Sequence, residues 1–155
     1  MQELRKQLVY VLSGGGAHLG FEALVAEFPF SRLGLAPEGL AHTVWELTWH
    51  ITIVQWDILE FIRNPRHVSP SFPDGYWPEA VVPDGEGAWS GLLERYRGDL
   101  AALKHLAMNK DSELLAPVPY GSGQSLLREL LLAADHTAYH LGQVADIRRL
   151  LGVPA

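Results

Sequence analysis

The sequence predicts an all-α protein built as a four-helix bundle. Four segments repeat their apolar residues at the 3.6-residue period of an amphipathic helix. Proline- and glycine-rich stretches separate them, and no segment reads convincingly as a strand. Four such helices with one long crossover can bury their apolar stripes only against one another. The 155 residues are expected to form a single domain, residues 1–155, long enough for a sizeable core.

The first helical pattern runs from about Gln2 to Phe28 and ends at Pro29. Its middle, Ser13-Gly-Gly-Gly16, is a poor helix former, at roughly 1 kcal/mol per glycine. A helix that continues with local distortion is the expectation there, and a break or kink is the alternative. The second pattern, residues 43–64, has the clearest start. Thr43-Val-Trp-Glu46 is a capping box, in which the threonine hydroxyl takes the N3 amide and the glutamate reaches back to the cap amide. Asn64-Pro65 stops that helix.

Residues 65–85 hold five prolines with Tyr76 and Trp77 among them. A connection of this length is functional or disordered as a rule, and the two aromatics favour an ordered strap over the bundle. The third helix is expected over residues 87–108. The fourth, over 124–151, opens at Ser125 as N-cap with Glu129 in its first turn, and Gly152 and Pro154 close it.

The net charge of −6 and the absence of a Lys/Arg cluster exclude the basic footprint that nucleic acid requires. With no cysteine there is no disulfide framework, no thiol nucleophile and no thiolate ligand. No stretch of ~18 apolar residues is present to span a membrane. The apolar run after Met1-Gln-Glu-Leu-Arg-Lys-Gln is too short for a signal peptide. A cytoplasmic protein is expected.

Histidine spacing carries the chemistry. His136-Thr-Ala-Tyr-His140 places two imidazoles one turn apart on one helical face. On the second helix His50 shares a third of a turn with Leu47, Ile51, Val54, Ile58, Phe61 and Ile62, and so faces the core. On the fourth helix His136 and His140 flank the apolar arc of Leu126, Leu130, Ala134, Leu141 and Val144, with Gln143 on the same side. Three inward imidazoles must each find partners or cost a few kcal/mol. A shared metal ion solves all three at once and keeps a coordination position open, the form of many catalytic zinc sites. Three separately hydrogen-bonded core histidines are the alternative.

Other residues are candidates for the surroundings of that pocket. Glu46 and Asp57 lie beside His50 on the wheel, and either is placed to orient an imidazole; Glu46 already serves the capping box. His18 and Glu22, four apart, read as a surface ion pair or as a dyad facing the cavity. His42 can reach the mouth of the site, while His67 and His105 read as solvated. Trp45, Trp49, Ile53 and Trp56 make the opposite side of the second helix apolar too. That side must meet a second subunit, making a homodimer, or the crossover at residues 70–80.

At these residues the chain resembles the DinB-like, or YfiT-like, family of metal-dependent proteins. That family carries a cap-x-x-Glu-Leu-x-x-His segment, here Thr43-Val-Trp-Glu-Leu-Thr-Trp-His50. It also carries a His-x-x-x-His-x-Gly-Gln segment, here His136-Thr-Ala-Tyr-His140-Leu-Gly-Gln143. The likeness extends to Gly14-Gly-Gly-Ala-His18 and to Pro119-Tyr-Gly-Ser-Gly-Gln124. It implies an up-down-down-up bundle, a divalent ion such as nickel or zinc on His50, His136 and His140, and a homodimer. It further implies a small-molecule substrate, with a low-molecular-weight thiol as one class.

Two functions follow as expectations. The first is a metalloenzyme, either a thiol-dependent transferase or a metal-dependent hydrolase. The absence of an obvious general base beside the histidines leans towards thiol transfer, since a metal-held thiolate needs none. The second is a non-catalytic metal-binding or ligand-sensing bundle, which would seal its ion away from solvent.

Overall fold

A computed structural model describes residues 1–14 and 16–154. Four long helices dominate it: α1 (Gln2–Ser13), α2 (Val44–Arg63), α3 (Gly85–Met108) and α4 (Leu126–Leu150). Among the described residues the one β-type pairing is an isolated bridge between Pro117 and Ser125. No helix is long and apolar enough to cross a membrane.

The first helix is shorter than expected. It stops at Ser13, and Gly14 takes φ 67°, a left-handed conformation that glycine adopts at little cost. The break falls at the start of the glycine run, where helix propensity is lowest. Gly15 lies outside the described residues. The chain winds again only as a π-helical turn over Glu22–Ala26, so the expected helix over 2–28 is two pieces with an irregular link.

The other three helices follow their signals. Thr43 accepts from the Glu46 amide at 3.1 Å while Glu46 accepts from the Thr43 amide at 2.8 Å, completing the capping box. Ser125 caps α4 by accepting from the Arg128 amide at 3.2 Å. At its far end Gly152, φ 66°, donates to Arg149 and Val153 donates to Arg148, which satisfies two of the last carbonyls. α3 begins two residues earlier than the sequence pattern placed it.

Cross-helix contacts fix the course of the chain. Trp45 meets Trp89 near the starts of α2 and α3, and Gln55 donates to the Tyr96 carbonyl further along, so these helices run parallel. Parallel neighbours require the long crossover between them. Arg5 reaches Ala107 while Phe21 stacks on Tyr96, so the first segment opposes α3. Arg148 donates to Leu24 at 3.0 Å and the Tyr120 hydroxyl to Ile62, which sets α4 along the first segment and against α2. The bundle is up-down-down-up.

Two buried arginines close helix ends. Arg5, 6% exposed, donates to Ala107 at 2.8 Å and Ser112 at 2.6 Å, placing its charge at the carbonyl end of α3. Arg148 lies over the Phe28 ring.

The core divides into two apolar clusters. One gathers Leu47, Ile51, Leu93, Leu141 and Val144; the other gathers Leu8, Ile58, Leu59, Leu103 and Leu130. Between them, on the residues of α2 and α4 that join the clusters, lies a buried polar layer: His50, Thr52, Gln55, Thr137 and His140. The candidate site belongs to this layer.

The tryptophan face of α2 is partly covered within the chain, with Trp49 and Trp56 only half-buried. Trp45 donates its indole N–H to the Ala80 carbonyl at 2.8 Å and packs on Trp89. Trp56 lies beneath the Arg95 guanidinium and against the edge of His67. α3 and the crossover together occupy the side for which a crossover or a second subunit was expected.

Candidate metal centre

The capping box sets where α2 begins, and His50 follows within its second turn. The Ser125 cap does the same for α4, whose antiparallel course brings His136 and His140 to the level of His50. Nitrogens of the three imidazoles all lie within 4.8 Å of one another. Nε2 of His136 is 3.0 Å from Nε2 of His50. Two nitrogens on a tetrahedral zinc ion, each at about 2.0–2.1 Å, stand roughly 3.4 Å apart. The donor chemistry fits one divalent ion, on which nitrogens spread over as much as 4.8 Å would draw together to about that spacing.

The second ring nitrogens are tied as metal-binding histidines require. Nδ1 of His50 donates to the Tyr76 carbonyl at 2.8 Å. Nδ1 of His140 donates to Oε1 of Gln143 at 2.7 Å. A carbonyl can only accept, so each of these bonds keeps the proton on Nδ1 and leaves an Nε2 lone pair aimed at the cluster. Across the 3.0 Å contact His50 Nε2 must then accept from Nε2 of His136. Ligation by the same nitrogen requires the other tautomer of His136.

Aromatic rings wall the cluster. The Trp77 indole stacks on His50 at 4.0 Å and 2°, and on His42 at 4.0 Å and 11°. Two nearly parallel rings at that distance can only occupy opposite faces, so Trp77 is held between the two imidazoles. Tyr139 meets the His140 ring edge-on at 4.9 Å.

Burial is the leading cause that keeps these imidazoles neutral. Together with repulsion from His140 and His50 it pushes His136 down to about 3. His50 is also lowered by burial, against the opposing pull of its bond to Tyr76. His140 is lowered by burial, partly offset by Gln143. Among the described residues, the charges that bear on the three are imidazoles, their own and that of His42. Among the described residues no carboxylate joins the cluster.

The remaining candidates divide clearly. Gln143 is in place, and His42 stands at the wall of the site as expected. Glu46 is spent on the Thr43 amide and meets none of the three histidines. Asp57 does not touch His50; it accepts from the Tyr76 hydroxyl at 2.8 Å and from His67 Nε2 at 2.6 Å. His18 is exposed and bonded to the Leu19 carbonyl, while Glu22 pairs with Arg97. The expected His18–Glu22 pair fails because residues 16–20 are not helical, and four positions there do not make one turn. His67 is not solvated either: its side chain is 7% exposed beside Asp57 and Trp56. His105 is exposed, as expected.

Sequence reasoning missed Tyr76 and Trp77 as parts of the site. Their one signal was an aromatic pair within a proline-rich crossover, which marked an ordered strap but not where it docks. The ≈ 850 Å³ groove between α1 and α4, lined by Tyr10, Val11, His18, Leu131 and Asp135, lies apart from the three histidines.

The family model of the DinB superfamily matches residues 20–144, a span that includes all three histidines. No curated protein and no solved structure matches the chain.

Proposed function

Because the chain belongs to the DinB superfamily, we propose that it is a metal-dependent enzyme acting on a small molecule. His50, His136 and His140 hold one divalent ion, nickel or zinc, and the reaction is thiol transfer or hydrolysis. The observation that carries this reading is the donor set: three imidazoles within 4.8 Å, two of them oriented by Tyr76 and Gln143. When bound, such an ion supplies Lewis acidity, which polarises a carbonyl or lowers the pKa of water or a thiol brought to it.

The chain's own groups do the rest. The Tyr76 carbonyl and the Gln143 amide fix two tautomers, and Trp77 excludes water from one side of His50. With no carboxylate in the cluster among the described residues, the positive charge is compensated best by an anion from outside. A thiolate meets that need and requires no side-chain base. Thiol transfer is therefore the favoured branch, and a low-molecular-weight thiol the favoured co-substrate.

A second reading, a metal-binding or sensing bundle without turnover, draws on the Trp77 stack that covers His50. The test is a panel of thiols and electrophiles offered to nickel- and zinc-loaded protein, with His136→Ala as control. Turnover that vanishes in the variant supports the enzyme. Turnover unchanged in His136→Ala ends the metal reading, and a stoichiometric ion with no turnover across the panel favours the second.

A further inference from the structure

Asp57 lies seven residues after His50 on α2, two helical turns or about 10 Å along the same side. Its carboxylate makes two hydrogen bonds, and both go to the crossover. The Tyr76 hydroxyl donates to Oδ2 at 2.8 Å, and Nε2 of His67 bonds Oδ1 at 2.6 Å. The side chains of Asp57 and His67 are 15% and 7% exposed, so this contact is largely screened from water. Tyr76 then uses its other polar group on the metal centre, since its backbone carbonyl accepts from His50 Nδ1 at 2.8 Å. The next residue lays its indole on the same imidazole.

Apolar packing holds little of this part of the crossover beyond the edge of the His67 ring on Trp56. Val68 and Phe72 are each 83% exposed, and no residue from 64 to 75 belongs to the buried core. Between the end of α2 and Tyr76 the polar contact with Asp57 replaces an apolar anchor. Without it the Tyr76 carbonyl is held near His50 mainly from the Trp77 side, where the indole stacks on His50 and His42. A neutral imidazole with no acceptor at Nδ1 has no reason to keep its proton there, and the lone pair at Nε2 is no longer assured.

We propose that Asp57 is a positioning residue for the three-histidine centre, acting through Tyr76. It pins the crossover so that one carbonyl selects the ligating tautomer of His50 and one indole packs that ring in place. The proposal rests on the metal reading of His50, His136 and His140, and extends it to a group that touches none of them.

The test measures zinc affinity by competition with a chromophoric chelator, and the visible spectrum of the cobalt-substituted protein. The variants are Asp57→Ala, Tyr76→Phe and the double variant. Leu59→Ala, on the same helix but within the apolar core, serves as a control for lost stability alone. Far-UV circular dichroism confirms folding, and Tyr76→Phe removes a single oxygen, so at least one variant keeps the fold. Outer-shell partners of metal ligands are typically worth 10–100-fold in affinity, so each single variant is expected to bind zinc about tenfold more weakly and to alter the cobalt bands. The double variant should lose less than the two losses combined, because both act through one link. Leu59→Ala should melt lower with affinity unchanged. Zinc affinity within twofold of the parent in both single variants would overturn the positioning role. Failure of the parent protein to bind zinc, or unchanged binding by His136→Ala, would instead overturn the metal reading beneath it.

Discussion

Nε2 of His136 stands 3.0 Å from Nε2 of His50, joining positions 86 residues apart across two antiparallel helices. Each imidazole is held there by the packing of its own helix. The pair, with His140 beside it, is the part of the polar layer on which the expected behaviour of the protein depends.

The ion-free protein should lose stability as pH falls through the histidine range. Burial, then two neighbouring imidazoles, lowers His136 from 6.5 to about 3, and burial also lowers His50 and His140. With folded pKa values below the unfolded ones, the unfolded chain binds more protons across this interval, and stability rises with pH. The contribution is whole above about 6.5 and declines progressively towards about 3. Thermal melts of chelator-treated protein between pH 7.5 and 4 should show Tm falling over that window, and less steeply in His136→Leu. A flat profile would mean the three rings are not neutral because of burial.

Ion loading should raise Tm at pH 7.5 and lose that effect near pH 5. Ligating imidazoles must shed competing protons, so affinity falls with pH. An ion that binds only the folded chain stabilises by about 2.7 kcal/mol at a free concentration 100 times its Kd. Melts of loaded and stripped samples, checked by elemental analysis, decide this. Identical melts at pH 7.5 would separate the histidine cluster from any stabilising ion.

Gln143→Leu should weaken ion binding about tenfold with little change in helical content. The amide oxygen at 2.7 Å is the acceptor that fixes Nδ1–H of His140, and losing such a partner costs 10–100-fold as a rule. Competition with a chelator measures the change. Unaltered affinity would show that packing alone orients His140.

Two polar contacts of similar length should differ in their worth. Thr43→Ala removes the N-cap of α2 and should cost about 1 kcal/mol. Arg97→Ala breaks a 2.6 Å pair with Glu22 whose side chains are 46% and 61% exposed, and should cost less than about 1 kcal/mol. Urea unfolding of both variants gives the comparison. A larger loss for Arg97→Ala would mean that this pair docks the Glu22–Ala26 turn onto α3.

Local signals were legible wherever local chemistry decides the outcome. The capping box at Thr43, the Ser125 cap and the glycine after Leu151 each satisfy backbone groups within a few residues, so the start of α2 and both ends of α4 could be bounded from sequence. The 3.6-residue period turned His50, His136 and His140 inward for the same reason: a helical face is set by spacing alone. The first helix was misjudged because a continuous, distorted helix was favoured over the break that the glycine run also signalled, and the helix stops at Gly14.

By itself the sequence determined four amphipathic helices, their caps, and a trio of histidines on faces that must be buried. Tertiary structure alone decided what surrounds that trio. Tyr76, Trp77 and Asp57 come together because the crossover folds back over α2, a route that no residue periodicity encodes. The partners of Glu22, His67, Arg5 and Arg148 were likewise set by helices meeting far apart in the chain. Spacing fixes the direction a side chain takes from its own helix, whereas its partner depends on how the other helices dock.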